Sequence, residues 1–263
     1  MSRGIDVALT LEELSRISLP EVTAVMIDAL RASTTIVTAL ANGAQMVVPV
    51  ATPEEAAARA RDWPGGDTLL GGEREGAPPP GFECGNSPAE YTPDRVAGRR
   101  LIFTTTNGTR ALLALARAQQ VAVAAFVNAA AVVRWLASAP GGALFVCAGE
   151  AGRFCLEDAI CAGLLVERLQ AVWPGAALSD AARAAALLYG RYRRDLGAML
   201  AEATWARLLT AQGRGGDLPL CIALDIFDVV PVARDGQLVR RVTPAGPAAA
   251  AAHGPRKAPR PQD

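Results

Sequence analysis

Histidine and lysine are nearly absent from this chain. Its 263 residues hold one of each, His253 and Lys257, and both fall in the terminal stretch AAAAAHGPRKAPRPQD. Without a histidine in the body of the sequence, Ser-His-Asp triads, phosphohistidine intermediates and His-ligated metals are excluded together. The cysteines are few and odd in number: Cys84, Cys147, Cys155, Cys161 and Cys221. They lack paired metal-ligand spacing, so they read as reduced thiols and not as disulfides or a zinc site. No run of about 18 consecutive apolar residues occurs, as a membrane-crossing helix would need. The opening MSRGIDVALTLEEL meets acids early and has no apolar secretory core. These absences lead us to expect a cytoplasmic protein. Neither is there an excess of charge: the formal net charge is +0 and the isoelectric point about 6.6. No field therefore favours nucleic acid or an anionic membrane as partner, and any anion binding must be local.

What is present is apolar content, 51% of residues, enough for a sizeable core. Short β-branched runs alternate with Ala/Leu-rich helical stretches, the pattern of a sheet covered by helices. VTAVMID (22–28), QMVVPV (45–50), RLIFTT (100–105), VAVAAFV (121–127) and ALFVCAG (143–149) read as strands. STTIVTALANGA, PEEAAARARDW, TRALLALARA and NAAAVVRWLAS read as the helices between them. Residues 72–94 form a long Gly/Pro loop, the kind that more often carries function. From Leu156 to about Gln212 the chain reads as helical, and DVVPVARDGQLVRRVT reads as a hairpin turning at Asp235-Gly236. The expected fold is a three-layer α/β/α sandwich with a mixed, largely parallel sheet, one domain over 1–244. Residues 245–263, rich in Ala and Pro, are expected to be a disordered tail.

Polar chemistry concentrates where strands hand over to helices. TTTNGTRAL (104–112) joins hydroxyls, an Asn-Gly turn and Arg110 at a helix start, where free N–H groups favour an anion such as phosphate. Thr106 or Asn107 could equally serve as a plain helix cap. The same arrangement recurs after VTAVMI, with Asp28, Arg31, Ser33 and Thr34, and after ALFVCAG, with Arg153, Glu157 and Asp158. In a parallel sheet such loops gather at one edge and bind ligands there. Asp28, Glu73 and Asp158 are the leading carboxylates, with Glu157 next. A site of oxygens alone suits Mg²⁺, and a metal beside arginines is the equipment of phosphoryl transfer. Cys147 to Arg153 also spells C-x5-R between a strand and a helix, the pattern of a cysteine-dependent phosphate loop. A third reading is a non-catalytic protein that binds a small anion.

Taken together, MIDALRASTTIVTALANGA, GGEREG, PGFECGNSP, TTTNGTRAL, CAGEAGRFCLEDAICAG and CIALDIFDVVPV resemble the 2-phosphosulfolactate phosphatase family, the ComB-like enzymes, over about residues 20–240. The resemblance implies an Mg²⁺-dependent phosphatase that converts (2R)-phospho-3-sulfolactate to 3-sulfolactate and phosphate, as in coenzyme M biosynthesis, or acts on a related small phosphorylated acid. It implies a mixed-sheet α/β/α fold. By resemblance, Asp28, Arg31, Arg110 and Glu73 are the catalytic candidates. Ser33, Thr34, Arg74, Asn86, Ser87, Thr105, Thr106, Asn107 and Arg153 are the substrate-binding candidates. Asp28, Glu73, Asp158 and Glu157 are the candidates for holding Mg²⁺, with water or Asp28 as nucleophile. The sequence departs from the family pattern at Glu83 and Cys84, which therefore carry no functional weight. A homodimer is expected only from the Ala-rich helices.

Overall fold

Strands buried on both faces need apolar residues at nearly every position, and the strands here have them. The computed structural model describes residues 3–63 and 65–241. The expected tail, 245–263, lies outside the described residues. In chain order the elements begin β1 (Gly4–Ala8), β2 (Val22–Ile27), α1 (Ala32–Ala41), β3 (Met46–Pro49), α2 (Pro53–Asp62) and β4 (Thr68–Gly72). Next come α3 (Pro93–Val96), β5 (Arg100–Thr104), α4 (Gly108–Ala114), β6 (Gln120–Ala124), α5 (Ala129–Ala137) and β7 (Gly142–Cys147). The chain continues with α6 (Leu156–Val172), β8 (Ala177–Leu178), α7 (Asp180–Tyr192), α8 (Leu196–Glu202), α9 (Thr204–Ala211) and α10 (Leu218–Cys221). It closes with the hairpin β9 (Val230–Arg234) and β10 (Gln237–Arg241).

All ten strands form one mixed sheet in the order β4-β5-β3-β10-β9-β6-β2-β7-β1-β8. Two parallel groups, β4-β5-β3 and β6-β2-β7-β1-β8, are joined only through the hairpin. The joints β3 to β10, β10 to β9 and β9 to β6 are all antiparallel. Three reversals make the groups run in opposite directions. Each outer joint is narrow, one register pair: Val47 with Leu238, and Ala122 with Val232.

Side chains alternate between two cores, as strand geometry requires. Val25, Ile27, Phe145 and Cys147 pack under α5 to α9 with Leu136, Ile160, Leu164 and Tyr189. Met26, Val146, Val47 and Phe103 pack with Ile36 and Leu40 of α1 and Leu112 of α4. Thus α1 and α4 bind residues of both strand groups, while Ala56 of α2 covers Val48 and Ile102 on the remaining face. Helices cover both sides of the mixed, mostly parallel sheet, as expected of an α/β sandwich. The helical stretch after 196 is divided by Ala203, which caps α9 in an extended conformation. No helix of the described residues is long and apolar enough to cross a membrane.

Candidate active site

Asp28 follows the last residue of β2, and the residues after it are organised around its carboxylate and backbone. Ser33 Oγ accepts from the Asp28 N–H (2.9 Å), Asp28 Oδ1 accepts from the Ala32 N–H (3.1 Å), and Thr34 Oγ1 donates to the Ala29 carbonyl (3.0 Å). Asp158, in the first turn of α6, ties this turn to the exit of β7: its oxygens accept from the N–H groups of Ala29 (2.8 Å) and Gly149 (3.1 Å). The strand group holding β4 and β5 supplies the opposite wall. Glu73 accepts from the N–H groups of Thr106 (2.8 Å) and Gly76 (2.9 Å). Asn107 Nδ2 donates to Glu150 Oε2 (2.6 Å). Gly108 sits where a Cβ would lie 2.8 Å from Asp28 Oδ2 and 2.7 Å from Ala32 Cβ, so only glycine leaves that approach open. The functional loops therefore do not line one edge of a single parallel sheet, as the sequence suggested. They come from two opposed strand groups whose carboxyl ends meet.

The result is a small cavity of about 30 Å³ whose lining includes five carboxylates, Asp28, Glu73, Glu150, Glu157 and Asp158, with Asn107, Cys155 and Trp205. None of the five forms an ion pair among the described residues. Uncompensated charge in a desolvated place favours protonation. Burial, then the neighbouring Glu73, Glu157 and Glu150, pushes Asp28 from the usual carboxylate range up to about 7, against the lowering effect of the Ala32 N–H. Burial, followed by Glu150, lifts Glu157 to about 6. Burial, Asp28 and Glu157 hold Asp158 well above its ordinary value. Glu150 is raised by burial and then by Glu73, opposed by its bond from Asn107.

A second, larger cavity of about 290 Å³ is lined by Arg31, Asn86, Ser87, Arg214 and Asp217 among others, and the turns 28–31 and 73–76 contribute residues to both cavities. Arg31 is buried and donates from Nη1 to Asp217 Oδ2 (2.5 Å), and Ser87 Oγ donates to Asp217 Oδ1 (2.6 Å). The buried Asn86 Oδ1 has no partner among the described residues.

The other predicted residues divide sharply. Ser33, Thr34, Thr105 and Thr106 line neither cavity. Their hydroxyl or amide groups hold the turns: Thr105 Oγ1 accepts from the Thr109 N–H (3.2 Å), and the Thr106 N–H is taken by Glu73. Arg74 is a structural clamp, donating to the carbonyls of Glu73 (2.7 Å) and Ala51 (2.6 Å) and to Thr104 Oγ1 (2.8 Å). Arg110 and Arg153 are exposed and line neither cavity, because each points outward from its turn. The C-x5-R reading fails physically. Cys147 is fully buried in the core under α5 and α6, and burial, reinforced by Asp158, pushes its thiol well above the ordinary range. Sequence reasoning missed Glu150, Arg214 and Asp217. Glu150 was legible as a third acid at a strand exit; the other two lie in GRGGDLP, which has no local signal linking it to residue 31.

Comparison with known proteins gives the family. The profile of a family described as 2-phosphosulpholactate phosphatase matches residues 8–236. The chain belongs to that family. Among relatives, a protein of Symbiobacterium thermophilum named "Probable 2-phosphosulfolactate phosphatase" is 45% identical over 82% of this chain and 93% of its own length. Proteins of the same name from Gloeobacter violaceus (43% identical, over 79% of this chain and 86% of the relative) and Caldanaerobacter subterraneus (38%, over 83% and 90%) are also similar. The 2-phosphosulfolactate phosphatase family consists of phosphoric monoester hydrolases.

Proposed function

We propose that this chain hydrolyses 2-phosphosulfolactate, or a closely related small phosphorylated acid, to the free hydroxy acid and phosphate with Mg²⁺ bound in the carboxylate cavity. The observation that carries the metal is the unpaired acid cluster itself. A phosphate dianion would be repelled by these carboxylates, and a divalent cation compensates both. The donor set fits: every side-chain ligand is oxygen, and Mg²⁺ commonly takes one or two carboxylates, keeping water and substrate phosphate as its other ligands. Among the described residues no three acids converge tightly enough to enclose an ion by themselves, so the proposed site needs water and substrate as further ligands. Among the described residues no protein group outside its own residue donates to Asp28 Oδ2, Glu150 Oε1 or the Glu157 carboxylate, and of these Asp28 and Glu150 would hold the ion. When bound, it neutralises charge on the phosphoryl oxygens and lowers the pKa of a coordinated water.

The chain's own groups then have separate tasks. Asp158 and Ser33 fix the position of the 28–29 turn. Glu73 fixes the turns at Thr106 and Gly76. Glu157, raised to about 6, is suited to take the proton of attacking water and return it to the leaving alkoxide. The bond broken is the P–O ester bond, the new bond joins water oxygen to phosphorus, and the proton passes to the alcohol. Arg31 faces the second cavity with donors left over from its bond to Asp217. The physiological setting we propose, by resemblance, is coenzyme M synthesis.

Phosphate release from 2-phosphosulfolactate, measured in EDTA and across an Mg²⁺ titration, tests this reading. Release that requires Mg²⁺ and disappears in Asp28→Asn supports it. Equal release in EDTA removes the metal, and no release at any Mg²⁺ concentration removes the substrate.

A further inference from the structure

We infer that the 290 Å³ cavity beside the carboxylate cluster receives the substrate's terminal sulfonate, and that Arg214 is the residue that selects for it. The inference rests on the phosphatase reading above and extends it to a part of the substrate that takes no part in the chemistry.

Two short turns connect the cavities. The turn 28–31 places Asp28 in the carboxylate cavity and Arg31 in the larger one; the turn 73–76 does the same with Glu73 and Gly76. The Gly76 N–H donates to Glu73 Oε2 (2.9 Å), so the shared wall is one turn thick. A ligand anchored by its phosphate at Asp28 extends past this wall into the second cavity. In 2-phosphosulfolactate the carboxyl carbon is bonded directly to the ester carbon, whereas the sulfur lies one carbon farther out. The sulfonate is the group that reaches. The volume is at the lower edge of the roughly 300–1,000 Å³ of small-molecule pockets, which suits a ligand of few atoms.

The donors there match an anion. Arg31 is already half committed, since Asp217 binds its Nη1. Asp217 in turn holds Ser87, so the carboxylate is fully engaged and the arginine is fixed in place. Glu90, the other acid of the lining, accepts from the Gly85 N–H (2.8 Å). Arg214 has no acidic partner among the described residues; its Nη1 donates to Gln212 Oε1 (3.0 Å) and passes across Gly76, where any Cβ would collide with the guanidinium. Gly76 (φ +77°) thereby lets Arg214 lie against the connecting wall. Asn86 completes the set: the amide is more than nine-tenths buried, lines the cavity and makes no side-chain bond among the described residues. Its NH₂ group is a donor that no described residue takes up, and so is available to an anion in the cavity. A planar fork with free N–H groups is well suited to an oxyanion of this kind.

The test compares 2-phosphosulfolactate with 2-phospholactate, which has a methyl group in place of the sulfonated carbon. It is run on wild type, Arg214→Ala and Arg214→Lys, with thermal unfolding of each to confirm folding. Arg214→Ala is expected to lower kcat/KM for the sulfonated substrate about tenfold to a hundredfold more than for 2-phospholactate, chiefly through KM, as loss of a charge-assisted bond predicts. Arg214→Lys should recover part of that ratio. An equal loss on both substrates, or none, overturns the sulfonate subsite while leaving the phosphatase reading intact. Thermal stabilisation by 3-sulfolactate separates the two claims. If wild type releases no phosphate but 3-sulfolactate stabilises it and not Arg214→Ala, the subsite stands and the reaction falls. Stabilisation that does not depend on Arg214 overturns the subsite.

Discussion

Asn107 and Glu150 meet across 2.6 Å, and that single bond links two strand groups that run in opposite directions. Asn107 Oδ1 also accepts from the Ala151 N–H (3.3 Å), so one amide holds the first two residues of the β7 exit turn. Asn107→Asp keeps the shape and replaces a donor by a carboxylate facing Glu150. The expected cost is about 1–3 kcal/mol at pH 8. Because burial already raises the Glu150 pKa, the cost should be smaller at pH 5 than at pH 8, as protonation of one of the pair becomes easier. Thermal unfolding at the two pH values checks this, and an equal loss at both would rule out the electrostatic account.

Gly108→Ala places a methyl group against Asp28 Oδ2 and Ala32 Cβ at less than ordinary contact distance. Both neighbours are pinned, so the start of α4 must shift. A destabilisation of about 1–3 kcal/mol is expected. The fall in kcat should be more than tenfold, larger than that loss of stability alone would cause in a sample that is still folded. Steady-state kinetics beside an unfolding curve separates the two effects.

Asp28→Asn should be more stable than wild type at pH 8 in EDTA, yet inactive. The carboxyl moves from 3.8 to about 7 on folding. Between those values the unfolded chain has released a proton that the folded chain keeps. Stability therefore falls as pH rises from about 4 to about 7 and stays lower above it. Asparagine has no such penalty, so the gain at pH 8 is expected to be on the order of 1–3 kcal/mol, a few degrees in Tm. At pH 4 the advantage vanishes. Mg²⁺ should stabilise wild type increasingly between pH 5 and 8 and Asp28→Asn little. Identical pH curves for the two proteins would contradict the assigned burial of charge.

Cys147→Ala should retain Mg²⁺-dependent turnover within about threefold while losing about 1 kcal/mol of stability, because it removes only core contacts. Loss of turnover in a protein shown to be folded would restore the cysteine mechanism.

Much of this was readable before any coordinates. The run VTAVMI ends as β2 one residue before Asp28, and the acids of LEDAICAG open α6 facing it, because buried parallel strands and helix starts leave strong local patterns. β1, β4 and β8 were not expected: they have five, five and two residues, and TLLGG ends in glycines that read as loop. Arg31 and Arg110 look alike in sequence. The first precedes α1 and is buried against Asp217; the second is inside α4 on its outer side. Helix phase and a partner 186 positions away separate them, and neither is encoded locally.

The two strands that join the sheet's halves are the last to be made. β9 and β10 occupy its middle, and until Arg241 has left the ribosome the groups on either side share no strand among the described residues. Domains form as their segments emerge, so α1 and α4, which pack on both groups, can draw the wall bearing Glu73 toward the wall bearing Asp28 before the sheet between them is complete. Without the hairpin the chain would keep every carboxylate of the cluster and lose the strands that lie between the two groups carrying them.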